Sequence, residues 1–177
     1  NFRDISNNIR KSSKATLDYF DAVVEQYQQG RTNSIDYRKA RRAAHNAQIE
    51  LSTMISSLSA EPNPNPDLIH NAFRYLVYSH SQLSYVSALG SHREHVHDQQ
   101  ILDLMLWCKH TLTDVLLNQT AVNEALIETK LTEIQHISDQ ENLSDNLLLV
   151  LKQISLLLET LPELLKLKTT LLRLEIK

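Results

Sequence analysis

The stretch Glu61-Pro62-Asn63-Pro64-Asn65-Pro66 holds three of the four prolines in a chain of 177 residues. Each proline lacks an N–H and pushes its predecessor out of helical geometry, so no helix runs through this stretch. Its far end is itself a helix start: Asn65 can cap, Pro66 suits the first position, and Asp67 falls in the first turn. The segment therefore separates two helices. Upstream of it Tyr37, Ala40, Ala44, Ala47, Leu51, Met54 and Leu58 recur every three or four residues, the period of one helix face. That spacing predicts a helix over about 35–59, capped by Ser34, with Asp36 well placed against its dipole. Before it, Phe2, Ile5, Ile9, Thr16, Phe20, Val23 and Tyr27 predict a helix over about 3–29. Gly30 follows as a left-handed cap.

Downstream, Ile69, Phe73, Leu76, His80, Leu83 and Ser87 give the apolar face of a third helix, ending near 89 before Gly90. Ile101, Met105, Cys108, Leu112 and Val115 predict a fourth over about 92–118. Val122, Leu126 and Ile134 form the spine of a fifth over about 121–138. Asn118-Gln119-Thr120 is a weak break, so 92–138 reads as one bent helix or two. Ser144 caps a last helical stretch, about 145–175, which Pro162 kinks or divides. That stretch is leucine-rich on most sides, which requires a central place in the core or a covering partner. It carries Lys152, Glu159, Glu163, Lys166 and Lys168, too many charges for a membrane span.

With two glycines, the chain has too few turn residues for an all-β or an alternating α/β fold. The expected fold is all-α, an antiparallel up-and-down bundle of five to six long helices, forming one soluble domain over 1–177. Cys108, the single cysteine, cannot form an internal disulfide. The net charge of −3 provides no basic field for nucleic acid. The charge is uneven: residues 1–60 carry a net +3 and residues 61–177 a net −6.

The charged motif Asp36-Tyr37-Arg38-Lys39-Ala40-Arg41-Arg42-Ala43-Ala44-His45-Asn46 stands out. At about 100° per residue, Arg38, Arg41, Arg42 and His45 fall in one sector roughly opposite the core stripe. They form either a solvated face or a site for an anion, an acidic helix or lipid headgroups. His92, His95 and His97, with Glu94 and Asp98, read as a surface histidine cluster rather than a metal site, because His97 points away from the other two. His80 reads as a hydrogen-bonded core histidine, Cys108 as a buried inert thiol, and Tyr75, Tyr78, Tyr85 and Trp107 as packing and rim residues. There is no Gly-rich phosphate loop, no Glu-x-x-His pair and no His-Glu-x-x-His. His110 lacks a convincing context for phosphotransfer. The expectation is no enzyme, no cofactor and no metal.

The run Tyr37-Arg38-x-Ala40-Arg41-Arg42-x-Ala44-His45-Asn46, followed by Leu51-Ser52 and Glu61-Pro62, resembles the cytoplasmic region of a known family. This is the fusaric-acid-resistance-like (FUSC) family of bacterial inner-membrane proteins. Gly30 and the opening Phe2-Arg3-Asp4-Ile5 also fit, and the resemblance is most specific over 30–62. It implies a C-terminal cytoplasmic domain excised from a larger efflux transporter with two membrane blocks; the start at Asn1 agrees. Relatives of this kind include exporters of aromatic carboxylic acids. No catalytic residue carries over. The domain would then serve assembly, interaction or regulation. Its partners would be the membrane portion, the other cytoplasmic region or a second copy, with Arg38, Arg41, Arg42 and His45 as contact residues. The alternative is a bundle that senses aromatic carboxylic acids directly, with arginines on one wall and Tyr75, Tyr78 or Trp107 on another.

Overall fold

The computed structural model describes residues 2–30, 34–92 and 96–176. Six α-helices follow in order: α1 Phe2–Gln29, α2 Ile35–Ser57, α3 Pro66–Ser91, α4 Gln99–Leu116, α5 Glu124–Ser138 and α6 Asp145–Ile176. A 3₁₀ turn, Leu58–Ala60, extends α2. Among the described residues there is no strand, so the fold is the expected all-α bundle.

The helix ends follow local chemistry. Gly30 closes α1 with φ of 88°, a backbone that L side chains rarely adopt. Ser34, Asn65, Asp98, Asn123 and Ser144 each accept backbone N–H groups of the first turn of the helix that follows. Three expected boundaries move. Asp98 caps α4, which therefore starts at Gln99 and not at 92, while residue 92 caps the C-terminus of α3. Asn123 caps α5, so 92–138 holds two helices, with Gln119 in left-handed geometry between them. Gly90 does not end α3, which runs through it to Ser91.

Cross-helix bonds fix the topology. Ser12 bonds Gln48 and Lys11 pairs with Glu50, so α1 and α2 are antiparallel. Ser79 bonds Gln48 and Ser87 lies by His45, reversing direction between α2 and α3. Lys109–Asp21 and Val96–Tyr27 set α4 antiparallel to α1. Gln100–Glu133 and the Lys130 ammonium over Trp107 do the same for α4 and α5. Arg74–Glu163 and Gln82–Thr160 set α6 antiparallel to α3. Directions thus alternate along the chain.

α6 packs against α1, α3, α4 and α5, which accounts for its leucines. Pro162 lies inside a continuous α6 and does not divide it. Leu158, Leu161 and Leu164 are buried on both sides of it and hold both halves to the core. The apolar stripes of α1, α2 and α4 are buried as expected, apart from the half-buried Ala40 and Met54 and from Phe2, whose side chain lies outside the described ones. The stripe of α3 is not. Its buried side is Leu68, Ala72, Tyr75, Ser79, Gln82, Leu83, Val86, Leu89 and Gly90, while Phe73 and His80 are exposed. The buried polar members have partners: Ser79 bonds Gln48, and the Gln82 amide donates to the Leu157 carbonyl and to Thr160. Small and polar side chains let α3 approach its neighbours closely at little desolvation cost. In α5 the buried residues are Ile127, Ile134 and Ile137; Leu126 is exposed and Val122 precedes the helix.

Candidate binding surface

The first turns of α2 carry the basic motif. Tyr37, Ala44, Ala47, Gln48, Leu51 and Ile55 are buried, and their side of the helix packs on α1 and α3. Tyr37 meets Tyr19 edge-on, ring centroids 5.8 Å apart, with the two hydroxyls at 3.5 Å. Both hydroxyls press on Gly90, where an added Cβ would stand 2.5 Å from that of Tyr37. This close approach explains a glycine inside a helix. Gln48 Oε1 accepts from both Ser12 and Ser79, so one buried amide ties α1, α2 and α3 together.

With that side fixed, Arg38, Arg41 and Arg42 are exposed. No hydrogen bond or ion pair joins their side chains to another described residue. His45 differs from the three arginines. It is half-buried, turned toward α3, with Nε2 3.5 Å from Ser87 Oγ and its ring 6.3 Å from that of Tyr19. Desolvation lowers its pKa below the usual histidine range, and the charges of Arg41 and His80 add to this. The four residues therefore divide into an exposed arginine row and an imidazole facing a groove.

That groove, about 490 Å³, lies between α2 and α3 and is lined by His45, Gln48, Ile49, Leu76, Val77 and His80, among others. Ile49 and Val77 are each 63% exposed on its lips. His80 was expected in the core; the rotation of α3 puts it here instead. Sequence periodicity missed this groove. The available signal was a charge gap: no Asp, Glu, Lys or Arg occurs from Tyr75 to His92.

Other candidate residues lie elsewhere. Tyr75 is fully buried, and burial pushes its phenol up to about 12. Trp107 faces α5, with the Lys130 ammonium 5.2 Å from its ring. Neither Tyr75 nor Trp107 forms a wall opposite the arginines, and Tyr78 is half-buried against the core. Cys108 is buried and its thiol pKa is raised by desolvation, which leaves it protonated and unreactive. His95 and Glu94 lie outside the described residues, and Asp98 is committed to capping α4. Among the described residues no group of three or more His, Cys, Asp or Glu converges as a metal site would require.

These features define a class: a helical bundle with an exposed arginine row whose side chains have no partner among the described residues. Among the described residues no helix is long and apolar enough to cross a membrane. The chain is 39% identical over 166 residues to the inner membrane protein YccS of Escherichia coli, a match covering 92% of this chain and 23% of YccS. It is also 35% identical over 82 residues to an uncharacterized protein of Haemophilus influenzae, covering 46% of this chain and 11% of that protein. The chain thus spans about a quarter or less of the length of these curated relatives. No protein-family model and no solved structure matches it. The resemblance read over 30–62 extends across nearly the whole chain, and it is to the YccS branch of the FUSC-type inner-membrane proteins.

Proposed function

We propose that the chain is a non-catalytic cytoplasmic domain of an inner-membrane efflux transporter of the aromatic-acid-exporter kind, serving assembly, interaction or regulation. The observation that carries this reading is the likeness of 92% of the chain to a region of an inner membrane protein. The exposed arginine row supports a contact role. Three guanidiniums without partners among the described residues are suited to bidentate capture of carboxylates on another surface. The partner surface would belong to the membrane portion, to the other cytoplasmic region or to a second copy.

The test replaces Arg38, Arg41 and Arg42 with Gln in the full-length membrane protein. We expect the 177-residue chain carrying these changes to keep its helicity and melting temperature, because exposed substitutions cost about 0.5 kcal/mol or less. Assembly of the membrane protein and export of an aromatic carboxylic acid should both fall. Undiminished assembly and export would overturn the reading. A sensing role is the second reading, and the α2–α3 groove favours it. There His45 and His80 would meet a carboxylate while Ile49, Leu76 and Val77 cover an apolar body. Saturable calorimetric binding of benzoate-type acids by the isolated chain, lost in a His45→Ala variant, would select it.

A further inference from the structure

The bundle separates its charge between opposite sides. α1, α3, α6 and α4 pack in a ring, each on the next, with α4 closing onto α1. α2 lies over the α1–α3 edge of that ring. α5 lies over the opposite edge, against α6 and, through Gln100–Glu133 and Lys130–Trp107, against α4. α2 has four basic side chains, Arg38, Lys39, Arg41 and Arg42, and two carboxylates, Asp36 and Glu50. Glu50 is taken up by Lys11 of α1. α5 has three carboxylates, Glu124, Glu128 and Glu133, against the ammonium of Lys130, and Asp139 and Glu141 follow it. One outer helix is therefore basic and the other acidic, with four helices between them. The basic side also exposes large aliphatic residues. At about 100° per residue, Ile35, Arg38, Arg42 and Ile49 fall within a sector of about 60° on the ridge of α2 away from the core. Ile35 is 58% exposed and Ile49 63%. Val77, as exposed as Ile49, faces it across the groove, and Phe73 follows one turn along α3. Neither α2 from Tyr37 to Ile49 nor α3 from Tyr75 to Ser91 contains an Asp or a Glu.

We infer that this α2–α3 face docks on a bilayer surface that carries anionic lipid headgroups. The guanidiniums of Arg38, Arg41 and Arg42 bind headgroup phosphates. Ile35, Ile49, Val77 and Phe73 enter the boundary between headgroups and acyl chains. Cations for the headgroups and aliphatics for the layer beneath are what hold an amphipathic helix in a membrane interface. Two observations favour a charged plane over a small acid or a single acidic helix. First, an acid or a helix seated in the α2–α3 groove meets His45 and His80, whereas the arginines are not among the residues that line it. The arginines interleave with isoleucines along an exposed ridge, and a fluid plane meets a ridge without a matching shape. Second, the charge separation spans the whole bundle. Screening beyond about 8 Å at physiological salt leaves a small ligand feeling only the nearest cations. An extended negative surface accepts the bundle with α2 toward it and repels it with α5 toward it, so the separation sets orientation as well as affinity. The inference rests on the proposed function in one respect, because a domain of an inner membrane protein has such a surface beside it.

The test is co-sedimentation of the 177-residue chain with phosphatidylcholine vesicles, with and without about 30% phosphatidylglycerol. We expect binding to the anionic vesicles at low salt, little to the neutral ones, and release as the salt is raised. Each basic residue near such a surface is worth about fivefold in affinity, so Arg38→Gln with Arg42→Gln should weaken binding about tenfold or more. Lys166→Gln with Arg173→Gln makes the same change in net charge beside the start of α5, and should leave binding within about twofold. All four positions are exposed, and unchanged helicity confirms that each variant folds. Orientation is read separately. Cys108 is buried and inert, so an introduced surface cysteine is labelled alone. A polarity-sensitive dye on Ile49→Cys should shift to the blue on anionic vesicles, and the same dye on Glu128→Cys of α5 should not. A chain that ignores anionic vesicles at low salt overturns the inference. So do equal binding to neutral vesicles, equal losses in the two double variants, or equal dye responses at the two positions. If the chain ignores vesicles while the arginine variant still cripples the full-length membrane protein, the partner is a protein surface, and the proposed contact role stands without the bilayer.

Discussion

The two sides of α3 are made from similar materials and do opposite things. The inner side buries Ala72, Ser79 and Gln82 beside Tyr75, Leu83, Val86 and Leu89, while the outer side leaves Phe73 and Val77 in solvent. Hydrophobicity alone does not choose between them. The inner side wins because its small residues admit α1, α2 and α6 closely and its polar groups find partners in Gln48, Thr160 and the Leu157 carbonyl. A helix can thus bury serine and glutamine and expose phenylalanine, if the buried polar groups are satisfied and the exposed apolar ones have work elsewhere.

The sharpest way to break this comparison is to truncate one residue on each side. Leu83 is 2% exposed, and Leu83→Ala should cost about 3 kcal/mol, within the 2–5 typical of buried leucine. Val77→Ala should stay within about 0.5 kcal/mol of the parent at concentrations where the chain is monomeric. Urea unfolding midpoints of the two variants measure this directly, and equal losses would refute the assignment of sides. Gly90 sharpens it next. Its Cβ-less backbone lies under Tyr37 Oη and Tyr19 Oη, so Gly90→Ala should destabilise by about 1–2 kcal/mol despite alanine's better helix propensity. Removing the Tyr37 hydroxyl in the double variant Gly90→Ala with Tyr37→Phe should return part of that loss. No recovery would mean that the strain lies elsewhere.

Much of the fold was legible because helix punctuation is local chemistry. The proline run, Gly30, Ser34, Asn65 and Ser144 placed ends that the structure keeps. Two failures were local, the caps Asp98 and Asn123 that the reading passed over; the others were tertiary. Gly90 looks like a stop from sequence, and only the two tyrosines from α1 and α2 reveal it as a packing glycine. The α3 stripe was rotated toward Phe73 and His80 because period-3.6 patterns weigh apolar size, not the partners that satisfy Ser79 and Gln82. For the candidate site, the exposed arginines follow from the phase of Tyr37, Ala44 and Leu51. The turn of His45 toward the groove does not, since it depends on where Ser87 and Tyr19 arrive from other helices.

His45 supplies the smallest and most specific test, because it sits at the border between the two kinds of surface. Tyr19 of α1, Ser87 and His80 of α3, and Arg41 of its own helix are the groups that act on it. Burial disfavours its charged form, and the coulombic effects of Arg41 and His80 add to this, so its folded pKa lies below the ordinary value of 6.5. A histidine with a depressed folded pKa binds its proton more readily in the unfolded chain. Its contribution is therefore neutral above about pH 7, and the fold loses stability as pH falls through the unfolded value toward the folded one. His45→Gln should flatten that part of the stability profile between about pH 7 and 5 and leave the stability above pH 7 nearly unchanged. If His45 were instead a fourth member of the solvated basic row, its pKa would be ordinary and the substitution would leave the slope untouched. A carboxylate brought onto the groove by a ligand would raise the His45 pKa and reduce the acid loss. Nuclear magnetic resonance titration of the His45 ring with and without benzoate therefore reads that contact from the imidazole side.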